Sequence, residues 1–230
     1  MIMIRLIVAL SLLCNAFLAM GQTPDMEYVS IDGLKKSLGA NMNFRLPKGW
    51  TEYTLGTAFS IMVPSTVELR KASDLYSHNL NRMGYTNGNI VFQQKGLANL
   101  QRSSYNKYCR IIIHYELGSR GDYLKRTDTE MLDDEWIKNI DSMVSWNIGP
   151  HSRLIGKYSY KWESINGAKC LRIDYRRTGD NFNYSKPVAC RIAIFQNDNE
   201  IAIIILSYRE KEVDLWKSDF DKVYKSFRWV

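Results

Sequence analysis

The chain has 230 residues, 45% hydrophobic and 24% charged, with a formal net charge of +7. This composition excludes a disordered chain and requires no membrane span beyond its first residues, while the length suits one well-filled domain. The basic excess is mild and scattered; it favours anionic partners such as acidic glycans or phospholipid headgroups and argues against nucleic acid, which needs dense Lys/Arg clusters.

At the amino terminus Arg5 precedes an apolar run over residues 6–18, which gives way to Ala19, Met20 and Gly21. The run is shorter than the roughly 20 residues of a bilayer-spanning helix and ends on small residues, the pattern of a secretory signal. Cleavage near Gly21 is expected, giving a mature chain from Gln22 that is extracytoplasmic, either periplasmic or secreted. Leu13 stands before Cys14 where lipid attachment wants a small residue, so a lipid anchor is not expected. Cys109, Cys170 and Cys190 then remain, an odd number that cannot form a fully paired framework.

Residues 22–43 lack apolar periodicity and read as a lead-in, so the domain is expected over residues 44–230. Two short apolar segments, 44–46 and 59–63, each stop at a proline and predict short or edge strands. Leu69, Ala72, Leu75, Tyr76, Leu80 and Met83 recur at three and four, the spacing of a helix. Strands follow at NIVFQQKG and YCRIIIHYEL.

Thr127 and Glu130 have capping-box spacing and open a helix whose apolar stripe is Leu132, Trp136, Ile137, Ile140, Met143 and Val144. Gly149 and Pro150 end it. A closing helix carries Val213, Trp216, Phe220, Val223, Tyr224 and Phe227 on one face.

Four strands separate these helices. Segments 158–163 and 169–177 flank Asn166-Gly167, a pair suited to the type I′ turn because both residues tolerate positive φ. That turn sets the register: Trp162 faces Leu171, Tyr160 faces Ile173 and Tyr158 faces Tyr175 on an apolar side. The other side gathers Lys157 with Arg176, Ser159 with Asp174, Lys161 with Arg172 and Glu163 with Cys170. A second hairpin turns at Asn197-Asp198-Asn199 into IAIIILSY, apolar enough to be covered on both faces. The expected fold is α+β, a mainly antiparallel meander sheet flanked by helices on both faces.

The FSIMVP strand, the capped helix, the meander with its NG turn and the final helix ending KSFRW together resemble the PsbP-like superfamily over residues 44–230. The resemblance implies an α/β/α sandwich and, for most members, a non-enzymatic role; no ligand residue carries over. The start at Gln22 after Ala-Met-Gly is similar to exported proteins of the Bacteroides group.

Chemistry-bearing motifs are sparse. His78, His114 and His151 show no metal-ligand spacing, no CxxC, GxSxG or phosphate-loop motif occurs, and no cofactor is implied. His114 and Glu116 share one strand face. Asp133, Asp134 and Glu135 suit the first turn of a helix through its dipole. The connection over residues 178–186 is longer than a hairpin needs and holds Phe182 and Tyr184 between Arg176, Arg177 and Lys186, a mixture suited to sugars or acidic partners. The candidate binding residues are therefore Lys157, Lys161, Arg172, Arg176, Arg177, Phe182, Tyr184 and Lys186. The expected function is a non-catalytic binding or envelope-associated accessory protein that engages a protein or an anionic envelope component. The alternative is an exported hydrolase with a site assembled by the fold around His114 and Glu116.

Overall fold

The computed structural model describes residues 48–55, 58–69, 89–96, 107–121, 123, 134–148, 152–179 and 186–230. In chain order the strands are β1 (Trp50–Leu55), β2 (Phe59–Pro64), β3 (Val67–Leu69), β4 (Asn89–Gln94) and β5 (Cys109–Leu117). Helix α1 (Asp134–Ile148) leads to β6 (Ser159–Ile165), β7 (Ala168–Thr178), β8 (Pro187–Asn197) and β9 (Glu200–Arg209). A 3-10 turn (Glu210–Glu212), helix α2 (Val213–Lys225) and β10 (Arg228–Trp229) complete the order. No helix among the described residues is long and apolar enough to cross a membrane.

Two antiparallel sheets result, a three-stranded one in the order β1-β2-β10 and a seven-stranded one in the order β3-β4-β5-β9-β8-β7-β6. The four-strand meander between the helices is present, and β9 closes it against β5. Asn166 and Gly167 take φ of 48° and 80°, the positive values a type I′ turn requires. The register is the expected one, with Trp162 opposite Leu171 and Lys161 opposite Arg172.

Alternation sends neighbouring side chains of the long strands into different cores. Leu171, Ile173, Ile192, Ile194 and Ile203 cluster with Trp136, Ile140, Met143 and Val144 of α1. Cys170, Ala193, Phe195, Ala202 and Ile204 cluster with Trp216, Phe220, Val223 and Tyr224 of α2 and with Phe59 and Ile61 of β2. Phe227, fully buried, is the hub of this second core: its ring stacks on Phe195 at 3.7 Å and on Phe59 at 5.5 Å and meets Trp229 edge-on.

Several expectations are corrected. The closing helix stops at Lys225, and Phe227 reaches the core beyond it, just before β10 pairs with β2. Ser226 makes the break: its Oγ donates to Val223 O and accepts the Met62 N–H at 2.7 Å, tying the helix end to β2. Val213, expected on the buried face, is exposed. Glu212 is turned inward instead, accepting from Tyr108 N (2.9 Å), Arg209 Nη1 (3.1 Å) and Trp216 Nε1 (3.1 Å), bonds that compensate the burial of its charge. Leu69 lies in β3 rather than at the start of a helix. Residues 70–83 of that helix, the 44–46 strand, the signal segment, the lead-in, the capping box and Gly149-Pro150 lie outside the described residues.

Cys109, Cys170 and Cys190 are free and buried. Burial holds all three thiols above their ordinary pKa, Cys170 at about 12.

Candidate functional site

The register of the β6–β7 hairpin puts Ser159, Lys161 and Glu163 beside Asp174, Arg172 and Cys170 on the face that also receives α2. Pairing of β7 with β8 brings Arg191 opposite Asp174 on that same face. The cations and acids therefore interleave. Lys161 pairs with Glu163, which accepts from Arg172 Nη1 at 3.2 Å. Arg172 Nε donates to Asp174 at 2.6 Å, and Asp174 also accepts from Arg191 Nε at 2.7 Å. Arg191 Nη1 reaches Asp221 of α2 at 2.6 Å, and Asp221 is met by Lys217 at 3.0 Å. This alternating chain begins and ends on a lysine, so it carries one cation in excess.

The chain locks helix to sheet. Tyr224 donates to Glu163, and the Arg172 and Arg191 guanidinium groups lie 5.9 and 5.3 Å from the centre of its ring. Burial works to raise the Glu163 carboxyl, but the bonds from Lys161 and Tyr224 and the charge of Arg172 outweigh it and hold the group below its ordinary value. Asp221 follows the same logic, with Arg191 and Lys217 overcoming the effect of burial.

Beside this network, between the sheet and the middle of α2, lies a groove of about 280 Å³. Ala189, Leu206, Tyr208 and Phe220 supply apolar lining; Lys157, Ser159, Arg176 and Lys217 add polar groups, and Asp174, Arg191 and Asp221 of the network line it as well. Arg176 is held in a two-pronged pair with Glu210 of the 3-10 turn, its Nη2 at 2.8 Å, and this bond draws the Glu210 carboxyl below its ordinary value. Lys157 is exposed and has no ion-pair partner among the described residues.

The structure thus separates the candidate residues. Lys157 and Arg176 come together in the groove, whereas Lys161 and Arg172 belong to the bracing chain beside it. Arg177 is buried in the opposite direction, donating to Thr178 O and, at 3.3 Å, to Tyr108 OH. Lys186 is half-buried, its carbonyl accepting from Gly179 N at 2.8 Å where the connection closes. Phe182 and Tyr184 lie outside the described residues. Arg191, Tyr208, Glu210 and Lys217 were not anticipated. The periodicity of α2 signals that Lys217 faces away from its apolar stripe, but no local pattern says what it approaches.

His114 and Glu116 share a strand face as expected, with Nε2 and Oε2 3.8 Å apart. Burial lowers the His114 pKa despite the nearby carboxylate. Among the described residues no group of three His, Cys, Asp or Glu side chains is placed to hold a metal ion.

No family model matches the chain, and no curated protein matches it. Solved structures give distant likenesses. The chain is similar to cyanobacterial PsbP (CyanoP) from Synechocystis at 18% identity, covering 84% of this chain and 99% of that one with a TM-score of 0.47. It is similar to a protein from Bacteroides thetaiotaomicron at 9% identity, over 75% of this chain and 45% of that one, TM-score 0.43. A third likeness is to LpqN, involved in cell envelope biogenesis of Mycobacterium tuberculosis, at 11% identity over 74% and 81% of the two chains, TM-score 0.39. The fold is α+β and mostly antiparallel.

Proposed function

We propose that this chain is an exported, non-catalytic binding or envelope-associated accessory protein that uses the groove end of its basic hairpin face to hold a protein or an anionic envelope component. In this reading residues 1–21 are removed near Gly21, residues 44–230 form one PsbP-like domain clad by a helix on each sheet face, and the protein works outside the cytoplasm. The observation that supports it is the convergence of Lys157, Arg176 and Lys217 on one groove while the neighbouring Arg172 and Arg191 are committed to holding helix and sheet together. Phe182 and Tyr184, in the adjoining connection, complete the proposed surface.

The test replaces Lys157 and Arg176 by alanine and Phe182 and Tyr184 by serine, leaving Lys161 and Arg172 in place to preserve the brace. Capture of the native envelope component should be lost while the unfolding transition stays cooperative. Undiminished capture by the folded variant would remove the proposal.

A further inference from the structure

We infer that the groove receives a single phosphate or carboxylate group borne on a compact apolar body; this rests on the binding role proposed above and specifies the chemistry of what is bound. Three observations lead there. The first is size: about 280 Å³ lies just under the ~300–1,000 Å³ of ordinary small-molecule sites, room for one residue-sized group and too little for a dinucleotide. The second is the distribution of polarity. Leu206, Tyr208 and Phe220 give the groove apolar wall, while its charged lining sets the cations Lys157, Arg176, Arg191 and Lys217 against the acids Asp174 and Asp221, leaving positive charge in excess. A ligand that places its charge against the lysines and its body against those side chains satisfies both.

The third is the state of each cation. Arg191 spends Nε on Asp174 and Nη1 on Asp221, so it braces the wall. Lys217 is shared with Asp221. Lys157 has no described partner, and Arg176 is about half exposed, with its planar fork occupied by the Glu210 carboxylate. That carboxylate has the shape and charge of the ligand group proposed here, and a planar guanidinium takes carboxylate and phosphate in the same two-pronged way. An exposed ion pair of this kind contributes little net stability, because solvent screens it and holding two long side chains costs entropy. Glu210 therefore acts as an internal competitor: an incoming anion meets Lys157 and exchanges with Glu210 on Arg176.

The test titrates the purified protein with phenyl phosphate and with inorganic phosphate, following amide resonances, for wild type, Lys157→Ala, Glu210→Gln and Ala189→Leu. Lys157 is exposed and Glu210 half-buried, and neither belongs to the two cores. Phenyl phosphate should bind at least about tenfold more tightly than inorganic phosphate, the increment of one buried ring edge. Lys157→Ala should weaken it severalfold, Glu210→Gln should strengthen it severalfold, and Ala189→Leu should erase the preference for the ring. Equal binding of the two phosphates, or indifference to both the Lys157 and Glu210 substitutions, overturns the inference. Phosphatidylglycerol vesicles distinguish the source of the group: binding that phenyl phosphate displaces assigns a membrane headgroup, and no vesicle binding alongside tight phenyl phosphate binding assigns a soluble ligand. Capture of the native component through the basic face without phenyl phosphate binding would sink this inference and leave the proposed function standing; loss of both would sink both.

Discussion

Asn166→Asp separates two roles that one residue combines. As a turn residue, aspartate before glycine serves a type I′ hairpin as well as asparagine does, so the turn by itself predicts almost no change. The Asn166 side chain does more. Its Nδ2 donates to Lys225 O and to Phe227 O, both at 2.9 Å, so the tip of the β6–β7 hairpin caps the end of α2. Carbonyls at a helix C-terminus lack intrahelical partners, and the peptide dipoles leave that end partly negative. Aspartate loses both donors and brings a like charge. Two bonds at about 0.5–1.5 kcal/mol each, taken near the low end because one is exposed, give roughly 1–2 kcal/mol. Repulsion at the negative helix end adds ~0.3–1 kcal/mol at such an exposed site. The expected loss is therefore about 1.5–3 kcal/mol, read by urea unfolding at pH 7 with an unchanged denaturant slope. Asn166→Gly, which keeps the turn and loses the donors without adding charge, should lie between wild type and Asn166→Asp. A variant Asn166→Asp within about 0.5 kcal/mol of wild type, the ordinary scatter of a surface substitution, would refute the capping role.

Phe227→Ala should cost about 3–5 kcal/mol in the same assay, because it empties the fully buried hub between Phe59, Phe195 and Trp229. Glu163, Asp221 and Glu210 all titrate below their ordinary values of 4.5, 3.8 and 4.5, so their ion pairs support the fold fully above those values. That support is lost as pH falls through the lowered folded pKa values, and Glu163→Gln should flatten the acid limb of the stability profile below about pH 4.5. The three buried thiols should resist alkylation at pH 8 until the protein unfolds, when all become reactive; native labelling of Cys109 would contradict its placement.

What could be read from residues alone was whatever local geometry dictates. Asn166-Gly167 specified the turn, and the pairing of 159–165 with 168–174 followed because side chains alternate with period two. The stripe of Trp136, Ile140, Met143 and Val144 likewise announced α1. β10 was hidden because Phe227 continues the spacing of the helix, and the helix ends on contacts with distant residues, Ser226 with Met62 and Asn166 with Lys225 and Phe227. β1 was hidden because its alternation of Trp50, Glu52 and Thr54 with Thr51, Tyr53 and Leu55 gives neither face a clear apolar character.

The site shows the same division. The strand pattern announced a basic hairpin face, but its charge balance depends on Asp221 and Lys217, brought there by α2, and on Arg191, which the pairing of β8 with β7 sets opposite Asp174. The sequence groups Arg177 with Arg176 and Lys186 as cations flanking the connection that holds Phe182 and Tyr184. In a strand the adjacency of Arg176 and Arg177 sends their side chains to opposite faces, and Arg177 is buried.

The most direct measurement places a photo-crosslinking side chain at Ser159, an exposed position of the groove lining, and in a second protein at Lys138, on the exposed side of α1, then irradiates each in intact cells. A specific adduct at position 159, absent from position 138 and diminished by excess phenyl phosphate, is the expected result. Equal labelling at the two positions, or none at 159 from a folded protein, would contradict a binding surface at this groove.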